Sequence, residues 1–150
     1  GFYSTLSVSS AGDINGDGID DIIIGAFGAD PDGKSLAGES YVVFGGGDGF
    51  NGELTLSDLD GNNGFVISGI NTGDRSGRSV SSAGDINGDG IDDVIIGAHR
   101  ASPDGNSVTG ESYVVFGNDT GFASKLALSD LDGNNGFKLT GTDAFDYAGY

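Results

Sequence analysis

The chain has 150 residues, enough for one ordinary domain with a sizeable core; 36% are hydrophobic and 30 are Gly, which favours short strands and many turns over long helices. Asp and Glu number 23 against 6 Lys and Arg, a formal charge of −17 that excludes a nucleic-acid backbone or an anionic membrane as the natural partner and points to a cation. With no Cys, a disulfide framework, a thiolate metal site and a Cys nucleophile are all excluded.

In chain order, strand signals fall at 7–12 (SVSSAG), 21–26 (DIIIGA), 40–45 (SYVVFG) and 65–69 (FVISG), each β-branched or aromatic and bounded by Gly, Asn, Asp or Pro. The connections carry turn chemistry: DPDGKS lies between the second and third strands and DLDGNNG before the fourth. The whole pattern then repeats. Residues 8–72 align without gaps on 80–144, with 45 identities in 65 positions at an offset of 72, the signature of a repeat architecture. The chain therefore divides into a first unit at 1–72, a second at 73–144 and, in FDYAGY at 145–150, the start of a third. Ile22 to Ile24 and Val94 to Ile96 are apolar without alternation, so both faces of the second strand are expected to be buried. Four-stranded antiparallel sheets that cover both faces with like neighbours are the blades of a β-propeller. An eight-stranded sandwich gives no reason for both halves to carry the same loops. No apolar run approaches the ~20 residues that cross a bilayer, so membrane insertion is not expected. GFYSTLSVSS at the start lacks the basic and apolar regions of an export signal, which is expected outside this sequence.

The loop between the first two strands is the chemical centre of each unit. Counting Asp13 as position one, side-chain oxygens come from Asp13, Asn15, Asp17 and Asp21 at positions one, three, five and nine, with Gly18 at position six. Asp85, Asn87, Asp89 and Asp93 repeat the set around Gly90. Alternate residues of a tight loop can turn inward, and the backbone carbonyl of Ile19 or Ile91 can add a further oxygen. An all-oxygen set with three carboxylates suits Ca²⁺ better than Zn²⁺ or Cu²⁺, and better than Mg²⁺, which resists dehydration; two ions per chain are expected. An EF-hand is excluded, because position twelve is Ile24 or Ile96 instead of Glu and the flanks are strands. Asp20 and Asp92 fall between ligand positions and read as solvated carboxylates. His99 has Phe27 as its counterpart, which favours a packed or rim side chain over a catalytic base. FGGGDGF at 44–50 opens no helix and reads as a turn, as does the acidic DLDGNNG. Tyr3, Tyr41, Tyr113, Tyr147 and Tyr150 sit near strand positions, as core or inter-blade aromatics would.

These residues resemble the FG-GAP repeat of integrin α-subunit propellers and of large bacterial surface proteins. The family's calcium pattern, D-x-[DN]-x-D-G-x-x-D, is met twice, and its GxxYVF element stands as GESYVVF at 38–44 and 110–116. The family's Gly-Ala-Pro is replaced by GAF at 25–27 and GAH at 97–99, and its Phe-Gly by SG at 76–77 and AG at 148–149. The resemblance implies a non-enzymatic calcium-binding propeller segment of an extracellular or cell-surface adhesion or scaffold protein, with an extracellular protein or glycan as ligand. A lectin-like or protein-binding module, and an accessory part of a hydrolase, are the alternatives. Two blades do not close a ring of ~4 to 8, so copies are expected to complete a propeller as a homo-oligomer, although FDYAGY at 145–150 and FYSTLS at 2–7 claim the same strand at the junction.

Overall fold

The computed structural model describes residues 6–46, 50–103, 105 and 107–150. Tyr3, the start of FYSTLS, the middle of the 44–50 turn, and Asp104 and Asn106 of the second PDG turn lie outside the described residues. The described chain is all-β, with nine strands: β1 Leu6–Gly12, β2 Asp21–Ala26, β3 Glu39–Val43, β4 Gly64–Ser68, β5 Ser79–Gly84, β6 Asp93–Ala98, β7 Glu111–Val115, β8 Lys125–Ala127 and β9 Gly136–Thr140. β1 to β4 form one antiparallel meander and β5, β6, β7 and β9 a second, in equivalent registers: Ile24 pairs with Tyr41 and Ile96 with Tyr113. In each unit a bulge near the end of the first strand, at Ser10/Gly12 and Ser82/Gly84, turns the chain into the acidic loop.

The first sheet has a fifth strand that sequence patterning does not predict. β8 belongs to the second unit, yet it pairs parallel to β4 of the first, Val66 opposite Lys125 and Ile67 opposite Leu126. One unit thus closes the edge of its neighbour's sheet, the liability that an open strand presents.

The two sheets stack, β1 against β5 and β6, around one apolar cluster that draws on both units: Ile14, Ile23, Phe65 and Ile67 from the first, Val94, Ile96 and Tyr113 from the second. Phe122 of the second unit lies flat on Phe65 of the first, ring centroids 4.2 Å apart. Burial of both faces holds for β6, where Val94 is fully buried, but not for β2, where its counterpart Ile22 is 49% exposed. β2 lies in the sheet whose far side has no neighbour; β6 lies in the one that packs against β1.

Backbones approach closely along this seam. A Cβ on Gly117 would collide with the carbonyl oxygens of Asp92 and Ile14, whereas one on Gly46 would meet nothing. Gly117→Ala is therefore expected to destabilise the chain by about 1–3 kcal/mol, as overpacking does, and Gly46→Ala by less than about 0.5 kcal/mol; differential scanning calorimetry of the two variants checks this.

Candidate metal centres

In the first loop the side chains of positions one, three and five turn inward together. The Asp17 N–H donates to both Asp13 Oδ1 (3.0 Å) and Asn15 Oδ1 (3.2 Å), so these two oxygens converge on one atom. Gly18 N–H donates to Asp13 Oδ2 at 2.8 Å, Ile19 N–H to Asp17 Oδ1 at 2.9 Å, and Asn15 Nδ2 to Asp17 Oδ2 at 3.3 Å. The second loop repeats the pattern with Asp85, Asn87 and Asp89. Position six has φ +84° at Gly18 and +88° at Gly90, the left-handed backbone for which Gly is needed at that bend.

Position nine behaves differently. Asp21 opens β2, is 1% exposed, and accepts from Ile14 N–H (2.9 Å) through Oδ2 and from Gly45 N–H (2.8 Å) through Oδ1. Asp93 makes the same pair of bonds to Ile86 and Gly117. Each of these carboxylates therefore staples its loop to the segment that follows the third strand. Burial raises the Asp21 carboxyl above its ordinary pKa, the two amide donors oppose the rise, and the charges of Asp17 and Asp13 add to it. Burial likewise raises Asp93, with Asp89 adding to it. Asp85, exposed, is lowered chiefly by the Gly90 N–H. Among the described residues no three acidic or His side chains stand close enough to form a ready-made metal cage; the loop oxygens are turned onto the loop's own N–H groups. Even so, the donor set fits a hard cation. Every inward side-chain atom of positions one, three and five that accepts is an oxygen, a carboxylate oxygen bound to one N–H keeps a second lone pair, and the buried Asp21 senses the charges of Asp13 and Asp17.

Asp92 departs from the expectation of a solvated carboxylate. Its Oδ2 accepts from Asp13 N–H at 3.0 Å and its own N–H donates to Asp13 O at 3.2 Å, so it clamps the first residue of the neighbouring unit's loop. Asn118 N–H extends the clamp to Ile14 O at 3.0 Å. Asp20, its counterpart, is exposed. Spacing within one repeat cannot reveal this contact, since the partner lies 79 residues away.

The remaining candidates resolve as packing and turns. His99 is buried, edge-on to Tyr150 with centroids 5.3 Å apart; burial, then the charges of Arg78, Arg100 and Arg75, hold its imidazole below the ordinary pKa. Asp60 and Asp132 each accept two backbone N–H bonds within DLDGNNG, as an Asx turn does. Tyr113 is buried and donates to Glu111, and Tyr41 donates to Glu39 at 2.6 Å; burial raises both phenols.

Two antiparallel four-stranded units, related by a 72-residue period and stacked on a shared core, define consecutive blades of a β-propeller. The FG-GAP repeat profile matches residues 5–43 and 76–115, and the chain belongs to the FG-GAP repeat family. It is 30% identical over 148 residues to phosphatidylinositol-glycan-specific phospholipase D of Mus musculus, a match covering 95% of this chain and 17% of that protein. It is 32% identical over 129 residues to integrin alpha-PS2 of Drosophila melanogaster (83% of this chain, 8% of that protein) and 33% identical over 131 residues to integrin alpha-8 of Mus musculus (83% and 10%). The chain thus spans at most 17% of the length of these relatives. Among the described residues no helix is long and apolar enough to cross a membrane.

The asymmetry between Asp92 and Asp20 has a measurable consequence. Asp92→Ala leaves a half-buried N–H of Asp13 without its acceptor and is expected to cost about 1–3 kcal/mol. Asp20→Ala is expected to cost less than about 0.5 kcal/mol. Urea unfolding of both variants at low protein concentration in chelator measures the difference.

Proposed function

We propose that this chain is a non-enzymatic, calcium-stabilised propeller segment of an extracellular adhesion or scaffold protein, in which the ion stiffens the loop between the first two strands of each blade. The observation that carries the reading is the inward convergence of Asp13, Asn15 and Asp17 oxygens on one N–H, duplicated in Asp85, Asn87 and Asp89. Asp21 and Asp93, with the carbonyls of Ile19 and Ile91, would complete the two sets. Bound there, a divalent cation supplies positive charge where carboxylates otherwise repel, and two ions bring the formal charge from −17 to −13, two units for each ion. The chain's own part is to present the oxygens and to hold the loop. Ile14 is fully buried in the core and Asp21 is tied to two backbone amides, so ordering the loop braces the seam between blades as well.

Membership in a family whose relatives include integrin α chains supports the adhesion or scaffold role, and the extracellular setting goes with it. The second reading is an accessory module beside a hydrolase, favoured by the phospholipase D relatives; the one His is packed and holds no acid–base partner among the described residues. Copies of the chain associate head to tail, since propellers close with ~4 to 8 blades and heterologous contacts either close into rings or run on.

At 100 times the dissociation constant, each independent site adds about 2.7 kcal/mol, and extracellular modules bind at ~10⁻⁴ to 10⁻³ M. Calcium at tens of millimolar is therefore expected to raise the melting temperature and chelation to lower it; an unchanged melt overturns the calcium role. Isothermal titration calorimetry is expected to give two ions per chain, with larger affinity losses in Asp17→Ala and Asp89→Ala than in Asp20→Ala. Equal losses overturn the assignment of ligand positions.

A further inference from the structure

The internal duplication places the same side chains in two settings, once at a seam and once at a free face. Ile14 of the first blade projects onto the second, where it is fully buried beside Gly117 and Asn118. Its counterpart on the second blade, Ile86, is 53% exposed. The surface that would receive Ile86 exists at the other end of the chain: a groove of about 510 Å³ on the first blade, lined by Asp20, Ile22, Ile24, Val43 and Gly45. These are the counterparts of Asp92, Val94, Ile96, Val115 and Gly117, which lie around Ile14 at the internal seam.

Three further contacts have matching halves. β8 lies along β4, with Lys125 opposite Val66 and Leu126 opposite Ile67. The counterparts are residues 53–55, which are exposed and pair with no strand, and β9, whose outer edge pairs with none. The same register sets Glu53 against Lys138, opposite charges, and Leu54 against Leu139, both exposed apolar side chains. Phe122 stacks on Phe65, which itself packs on Phe44 at 6.0 Å; the equivalent Phe116–Phe137 pair stands at 5.9 Å, and Phe50, the counterpart of Phe122, is 67% exposed. Asp92 clamps Asp13, and Asp20 and Asp85 are the free halves of that clamp. Each of these matches runs in one direction, from the second blade of one copy to the first blade of the next.

We infer that the open face of the second blade is a docking surface for the first blade of a second copy. Ile86 seats in the groove beside Gly45, residues 53–55 of the incoming copy lie parallel to β9, and Phe50 stacks on Phe137. The occupant is a second copy because its surface carries the counterpart of every group that the internal seam already buries. The inference rests on the head-to-tail association proposed above and names the residues that make it.

The test uses disulfide trapping, which is clean because the chain has no Cys. Val66→Cys with Lys125→Cys, paired in register within one chain, is expected to close an intrachain disulfide and calibrates the geometry. Leu54→Cys and Leu139→Cys are then made as separate proteins, mixed in millimolar Ca²⁺ and oxidised. The mixture is expected to give covalent dimer at least fivefold above either variant alone, and adding Ile86→Asp to the Leu139→Cys protein is expected to cut that yield at least fivefold. Unchanged circular dichroism of the Ile86→Asp protein shows that it remains folded. A mixture no better than the single variants, with the unsubstituted chain sedimenting as an oligomer, overturns this seam and leaves association through another face. An unsubstituted chain that stays monomeric at millimolar concentration overturns both.

Discussion

A small sheet with apolar residues on both faces cannot cover itself, and the architecture follows from that constraint. Each blade here buries one face only by laying it against the next, and the contact is built from several kinds of interaction at once. Ile14 and Val94 supply apolar area, Phe122 and Phe65 an aromatic stack, β8 and β4 a strand pairing, and Asp92 and Asp13 a pair of hydrogen bonds. Burial is non-directional and supplies most of the stabilisation. The strand pairing and the clamp fix the register in which it occurs.

The acidic loop belongs to this seam as much as to the chemistry of its own oxygens. Its second residue, Ile14, is a core side chain, and its last, Asp21, is a buried anchor with both oxygens held by amides. Only the stretch between them, from Asn15 to Asp20, stands toward solvent. A loop anchored at both ends this way loses little conformational freedom when its carboxylates are drawn together, and that lowers the entropic cost of binding an ion.

Much of this was legible in the sequence because it is local. SVSSAG at 7–12 and FVISG at 65–69 lie within one residue of β1 and β4, and the inward turn of Asp13, Asn15 and Asp17 follows from their alternate spacing. What was not legible crosses between repeats. Residues 125–127, three residues without an alternating pattern, become a strand only because β4 of the other blade offers its edge. Asp92 looks idle within its own loop and acquires a partner 79 residues away. The run Ile22 to Ile24 reads as doubly buried, and the same pattern in Val94 to Ile96 is so, because the second sheet has a neighbour on the side where the first has none.

The direction of the β8 crossover carries a consequence for how such genes change. Every contact at the seam joins a group in one 72-residue period to a group in the next, with 45 of 65 positions identical between the two. Unequal recombination between the two near-identical halves removes or inserts a whole period at a time, and the new neighbours still meet knob to groove and strand to edge. An array of this kind can vary in copy number without passing through a frame or a register that fails to fold, so its length is open to selection one blade at a time.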